Sequence, residues 1–336
     1  KGDLLLVAGT TIPSSAPHAF RTRSSALCRA SPIWAKMLAP GSAGSVLGGF
    51  RTDGVLELPG DRPDALRVLL SAAHGKFRWK PVRRMWAKWD FGLVVEVLTL
   101  AEKYQALGAL APWVRAWSGM LRSAIGECCW MGMVEGAVKK MEVAWLLGDS
   151  GGLVEAVRGV ALTGYEGDIA TLLKIGEAGF EMGLPPAFSE IFEKAVGYRI
   201  DLIQEILDEF HTHVDGLAND DEGNTCVHSR RPLEERRICR STISLEVQRS
   251  LAQFQVPRTA SDIQDSSVAD LARRLLSSLC VGAKCLPRHR QCSPSVHFSL
   301  QCDVLVDGPW RWDSLLSEEH LQFLLGRQQA FQEERV

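Results

Sequence analysis

The chain has 336 residues, 46% of them hydrophobic and 23% charged, with a formal net charge of −2. That much apolar surface offsets the entropy of ordering the backbone, which excludes a disordered or collagen-like chain, and the length fits two domains or one large one. Lys and Arg (38) nearly balance Asp and Glu (40), so a bulk electrostatic grip on nucleic acid or anionic lipid is not indicated.

In chain order, the pattern predicts a strand over Asp3–Val7, then Gly9 and a Ser/Pro-rich loop over Ile12–Pro17, and a second strand over Ala19–Thr22. Ser24–Leu38 is helical in pattern, and Pro32 divides it into two short helices. Gly41–Gly54 reads as a glycine-rich connection, and Val55–Leu58 as a short strand ended by Pro59-Gly60. Asp61 is expected to cap a helix running to about His74, with Pro63 in its first turn. Leu93, Val94, Val97, Leu98, Ala101 and Tyr104 recur at helical spacing. So do Leu110, Trp113, Val114, Trp117 and Leu121. Strands first and stacked helices afterwards predict an α+β module over 1–122.

The stretch 123–215 reads as all-helical, with Met141–Leu147, Gly152–Leu162, Ile169–Phe180 and Pro186–His211 as its helices. The stretch 216–336 is looser. It holds an acidic linker over Asn219–Asn224, a helix over Leu233–Phe254, and an amphipathic helix through Val268, Leu271, Leu275 and Leu279, where Ser267 and Asp270 resemble a capping box. A loop containing Cys and His follows, then a short helix near Glu318–Leu325. No run approaches the ~18 apolar residues of a membrane helix; Leu93–Ala101 and Val143–Leu147 contain or adjoin a Glu. Nine cysteines, odd in number and thinly spread, make reduced thiols and an intracellular setting the default, without separating cytoplasm from nucleus. The sequence begins at Lys1, and whether residues precede it stays open.

The pattern Phe20-x-Thr22-Arg23-x-x-Ala26-Leu27-x-x-x-Ser31-Pro32-x-Trp34-x-x-Met37-Leu38 is similar to the strand–helix–helix core of the BTB/POZ domain. Asp3–Val7, Leu56–Pro59, Asp64–Leu70 and Leu100–Tyr104 fit that domain's opening strand, its later strand and its later helices. Leu110-Ala111-Pro112-Trp113-Val114 resembles the large fungal group, in which a helical extension follows, and Met141–Asp149 fits that extension more faintly. Arg23 stands where many animal members carry His, Trp34 replaces Phe, and Gly41–Gly49 is a long insertion. The resemblance implies a non-enzymatic protein that self-associates or pairs with another BTB protein. It also implies an alternative, substrate adaptor of a cullin-based ubiquitin ligase, although no recognisable substrate-recruiting repeat follows the module. A first strand at a sheet edge would offer unpaired backbone groups to a partner chain. The alternative is that Asp3–Val7 is internal.

Several motifs point toward chemistry. Gly148-Asp149-Ser150-Gly151-Gly152 spells the nucleophile motif of chymotrypsin-like proteases, and Ser71-Ala72-Ala73-His74 resembles their histidine motif. A triad also needs an Asp, an oxyanion hole and a β-barrel scaffold, whereas these surroundings read as helical, with Asp149 or Ser150 as a helix cap. Catalytic, cofactor and metal sites are accordingly all expected to be none. Cys280, Cys285, His289, Cys292, His297 and Cys302, with Cys226, His228 or Cys239, offer zinc-type ligands. Their spacings match no standard finger, so a structural zinc stays open beside buried thiols. Lys76–Trp89 carries cations with interleaved aromatics and no acid before Asp90, the composition of a nucleic-acid stacking surface, or of a solvated loop whose Trp rings pack down. It supports a nucleic-acid-associated regulator as the alternative of another class. Arg230, Arg231, Arg236, Arg237 and Arg240 are diluted by Glu234 and Glu235 and read as a solvated face. His211 and His213, beside Asp208, Glu209 and Asp215, are two apart on a helix and point in different directions.

Overall fold

The computed structural model describes residues 2–13, 16–39, 50–52, 55–76, 91–127, 134–165, 167, 169–171, 174, 187–219, 232–254, 256–260, 263, 266–279, 298–299, 312 and 314–333. It is mostly helical with one small sheet, an α+β arrangement. The chain divides into two compact units. One comprises Lys1–Cys128, Glu135–Ala156 and Ser317–Val336, and the other Cys129–Val134 and Val157–Leu316. The stretches 1–122, 123–215 and 216–336 cut across these units, because the terminal segment belongs to the first.

The first unit opens with β1 (Leu4–Ala8) and β2 (His18–Thr22), an antiparallel pair with Leu6 opposite Phe20. Two short helices follow, α1 (Ser24–Ala30) and α2 (Pro32–Leu38), then β3 (Phe50–Thr52) and β4 (Val55–Leu58). Pro32 makes the break between α1 and α2, since it lacks an N–H and fits only the first turn of the new helix. The strand order is β2-β1-β4-β3, with β4 parallel to β1 and antiparallel to β3.

This order corrects the expectation of an exposed first strand. β1 is internal, and β2 is an outer strand. The alternation explains why: Leu4, Leu6 and Ala8 are buried, and β4 continues that face with Leu56 and Leu58. β2 carries exposed His18 and Arg21, and polar residues of this kind blunt a sheet edge. β3 lies inside the stretch read as a glycine-rich connection, and its three residues are too few to show a period of two. Asp3, read as the first strand residue, instead serves α1. It accepts hydrogen bonds from the Ser24 N–H (2.9 Å) and hydroxyl (2.5 Å). The hydroxyl first and the N–H second hold the Asp3 carboxyl below its usual range.

After the sheet come α3 (Pro63–Ala73), which packs on β2 and on α4 (Phe91–Lys103), then a 3-10 turn (Leu107–Leu110) and α5 (Ala111–Glu127). Leu66, Leu69, Val94, Leu98 and Trp117 form their core. Each large side chain fully withdrawn from water contributes about 1.5–3 kcal/mol. The unit is completed by α6 (Val134–Leu147), the start of α7 (Ser150–Thr163) and the terminal helix α11 (Glu318–Glu333). α11 is longer than the expected Glu318–Leu325.

The second unit is built on α8 (Ala187–Asn219), α9 (Leu233–Phe254) and α10 (Val268–Leu279). Leu202, Ile206 and Phe210 of α8 pack with Cys239, Ile243 and Val247 of α9 and Leu271, Leu275 and Leu279 of α10. α9 has the bounds predicted, and α8 runs about two turns beyond His211, to Asn219. The Ser267 hydroxyl accepts the Asp270 N–H at 3.0 Å, one half of the predicted capping box. The Asp270 carboxylate, rather than returning to the Ser267 backbone, accepts from the Tyr165 hydroxyl (3.0 Å) and Arg273 (2.5 Å). Among the described residues, no helix is long and apolar enough to cross a membrane.

Candidate functional site

Two segments singled out in the sequence, Ser31–Leu38 and Leu100–Tyr104, meet in the first unit. Ser31 is buried at the N-cap of α2, where its hydroxyl accepts the Trp34 N–H at 2.9 Å and donates to the Tyr104 carbonyl. The fully buried Trp34 ring packs against Tyr104, with centroids 4.9 Å apart. Tyr104 then donates its hydroxyl to one oxygen of Asp61, while the Lys103 ammonium donates to the other at 2.5 Å. One serine, one tryptophan and one tyrosine therefore tie α2 to the end of α4, and Asp61 adds the β4–α3 junction.

This arrangement corrects the reading of Asp61 as a helix cap. The N-cap of α3 is Arg62, without a side-chain cap, and Asp61 is 1% exposed. A buried carboxylate needs donors, and Lys103 and Tyr104 supply them. Burial, then the charge and hydrogen bond of Asp61, push the Tyr104 phenol far above its usual range, so it stays a neutral donor. The helix ends at a non-glycine residue in the left-handed region, Gln105, with φ 52°. The Ala106 N–H reaches the Ala101 carbonyl and the Gln105 N–H that of Glu102, a Schellman termination. With a donor on each oxygen and almost no exposure, Asp61 positions the elements that meet around it.

The protease-like motif is a corner between α6 and α7. Gly148, at φ 73°, ends α6, with the Asp149 N–H bonded to the Ala144 carbonyl at 2.8 Å. A Cβ at Gly148 would stand 2.5 Å from the Leu324 carbonyl oxygen. Asp149 caps α7 by accepting the Gly152 N–H at 2.9 Å, and Arg122 holds the same carboxylate at 2.7 Å. A Cβ at Gly152 would lie 2.9 Å from that carboxylate. Of the two residues expected to cap the helix, Asp149 does so, and Ser150 is the first helical residue. His74 is committed elsewhere. The Arg23 N–H donates to its Nε2 at 3.1 Å, so the proton sits on Nδ1 and goes to the Leu70 carbonyl at 2.7 Å. The Thr22 hydroxyl also lies 3.1 Å from Nε2.

Of the cysteine and histidine set, only Cys239 is described, buried in the core that α9 shares with α8 and α10. Cys226, His228, Cys280, Cys285, His289, Cys292, His297 and Cys302 lie outside the described residues, as do 77–90 of the basic segment. Among the described residues no three His, Cys, Asp or Glu side chains gather as metal ligands. His211 lies 3.3 Å from the Pro257 carbonyl and His213 packs against Phe298, so the two do meet different neighbours. Arg237 is exposed on α9, while Arg236 is half-buried.

Buried cations escaped sequence reasoning, Arg327 and Arg199 among them. Arg327 of α11 donates to the Leu146 carbonyl (3.1 and 3.2 Å) and to Glu102 (2.7 Å), and the adjacent Gln328 donates to the Gly148 carbonyl at 2.8 Å. These are the orphan carbonyls at the C-terminus of α6, where positive charge is favoured. In the second unit, Arg199 treats the end of α7 in the same way, donating to the carbonyls of Ala161 (2.6 Å), Gly164 (2.9 Å) and Ser266 (2.8 Å). Each stands in an amphipathic helix where an arginine normally signals a solvated face, so local pattern carries no sign of its burial. No protein-family model, curated protein or solved structure matches the chain.

Proposed function

We propose that the chain is a non-enzymatic interaction protein whose first unit carries a BTB/POZ-like module. On this reading, the module makes homo- or hetero-oligomeric contacts. The observation that carries it is the meeting of the two resembling segments, Ser31-Pro32-x-Trp34 and Leu100–Tyr104, through Ser31, Trp34 and Tyr104. The strand–strand–helix–helix order of β1, β2, α1 and α2 adds support. With β1 internal, strand exchange through it is dropped, and the contact surface falls to the outer face of α1–α2, where Arg29, Pro32 and Lys36 are exposed. That Gly148, Asp149 and Gly152 of the motif around Ser150 shape a helix corner favours binding over hydrolysis.

The test uses the full chain, because the first unit includes Glu135–Ala156 and Ser317–Val336. Sedimentation velocity over rising concentration is expected to show association that Arg29→Glu with Lys36→Glu weakens, or affinity capture is expected to recover a second protein bearing such a module. Recovery of a cullin would favour the adaptor reading. A chain that stays monomeric and captures neither overturns the proposal.

A further inference from the structure

Helix α9 has two faces. Cys239, Ile243, Val247 and Leu251 recur every four residues toward the core of the second unit. On the opposite side Ile238 is 51% and Leu245 56% exposed, and both line an open groove of about 700 Å³ together with Ser241 and Gln248. Glu234, Ile238, Ser241, Leu245, Gln248 and Ala252 follow the alternating four- and three-residue steps of a helix-pairing seam, and all are exposed. The two large apolar residues of that seam, Ile238 and Leu245, stand seven residues apart, two turns along the same face.

We propose that this face is a self-association surface, on which α9 of a second copy packs antiparallel. The choice of occupant follows from the charges beside the seam. In an antiparallel pair with its two-fold axis level with Ile243, Leu245 of each copy faces Ser241 of the other, and Ile238 faces Gln248. Large residues then meet small or flexible ones. The same register sets Glu235 of each copy beside Arg249 of the other, twice by symmetry, and both are exposed. Arg249 also holds Glu246 of its own helix at 2.6 Å, and a guanidinium with five donors serves both carboxylates. A parallel pair would instead stack Glu234 on Glu234 and leave Glu235 and Arg249 far apart. The surface lies in the second unit and does not depend on the BTB/POZ-like reading of the first.

Sedimentation velocity of the full chain across a hundredfold concentration range tests this, with circular dichroism confirming folding of each variant. Leu245→Arg and Glu235→Arg are each expected to lower the association constant at least tenfold. The double variant Glu235→Arg with Arg249→Glu is expected to recover it to within about threefold, since the reversed charges again face each other. Variants on α1–α2 address the other surface, so failure of one proposal is separable from failure of the other. Unchanged sedimentation of Leu245→Arg overturns the inference, because a face used by a different protein or by none leaves self-association untouched. Failure of the double variant to recover overturns the antiparallel register.

Discussion

The two units meet one problem, the unpaired polar groups at junctions between elements, with different sets of buried charge. Both close a helix end with a guanidinium, Arg327 in the first and Arg199 in the second, but among the described residues only the first adds buried carboxylates. Asp61 sits between β4 and α3 and holds Lys103 and Tyr104, and Asp149 sits between α6 and α7 and holds Arg122 and the Gly152 N–H. In each case the cation remains partly exposed while the carboxylate does not. In the second unit the charge found buried among the described residues is a guanidinium, Arg199, spread over three backbone carbonyls. A carboxylate at a junction fixes which side chains meet. A guanidinium on carbonyls closes helix ends and leaves side-chain choice to apolar packing, as in the α8–α9–α10 core.

Removing each charge should therefore damage its own unit. Asp61→Ala strips both Lys103 and Tyr104 of their acceptor and is expected to cost about 3 kcal/mol. Arg199→Leu leaves three carbonyls short of a donor and is expected to cost about 2 kcal/mol. Hydrogen exchange checks the partition: amides of α3 and α4 should lose protection in the first variant, and those of α8 and α10 in the second. Equal loss in both units from either variant would break the comparison.

Alkaline pH sharpens it. The Tyr104 phenol is raised in the folded chain, by burial first, whereas an exposed phenol ionises near 10. Above about pH 10 the unfolded chain loses that proton and the folded chain keeps it, so stability falls as pH rises. Tyr104→Phe should flatten this fall while removing one hydrogen bond, worth about 1 kcal/mol. The measurement is urea stability from pH 8 to 11, with phenolate absorbance of the native chain excluding Tyr104 until it unfolds.

What the sequence showed of this follows a physical line. Pro32 announces the α1–α2 break because its effect is local, and the bounds of α9 were legible although its apolar residues lie on two faces. Ser31, Trp34 and Tyr104 were legible as motif members, but their contact was not, since it joins residues far apart in sequence. Asp61 misled because an Asp just before a Pro-led helix has the composition of a cap. By sequence α11 reads as ending at Leu325 because Gly326–Gln332 is polar but for Ala330 and Phe331, and the burial of Arg327 depends on Leu146 and Glu102, which local periodicity does not reach.

The smallest expected effect is the most discriminating for the corner at Gly148–Gly152. Asp149 there has two partners, whereas Ser150 only begins a helix whose cap is already supplied. Asp149→Ala should cost about 1–2 kcal/mol through the lost cap and the stranded Arg122. Ser150→Ala should stay within about 0.5 kcal/mol of the parent, because alanine is a good helix former and no bond of the cap passes through the hydroxyl. A fluorophosphonate probe should not label the parent at Ser150, since the His74 Nε2 that would serve as base already accepts from the Arg23 N–H. Labelling that Ser150→Ala abolishes would make the corner a catalytic site and overturn its reading as a helix junction.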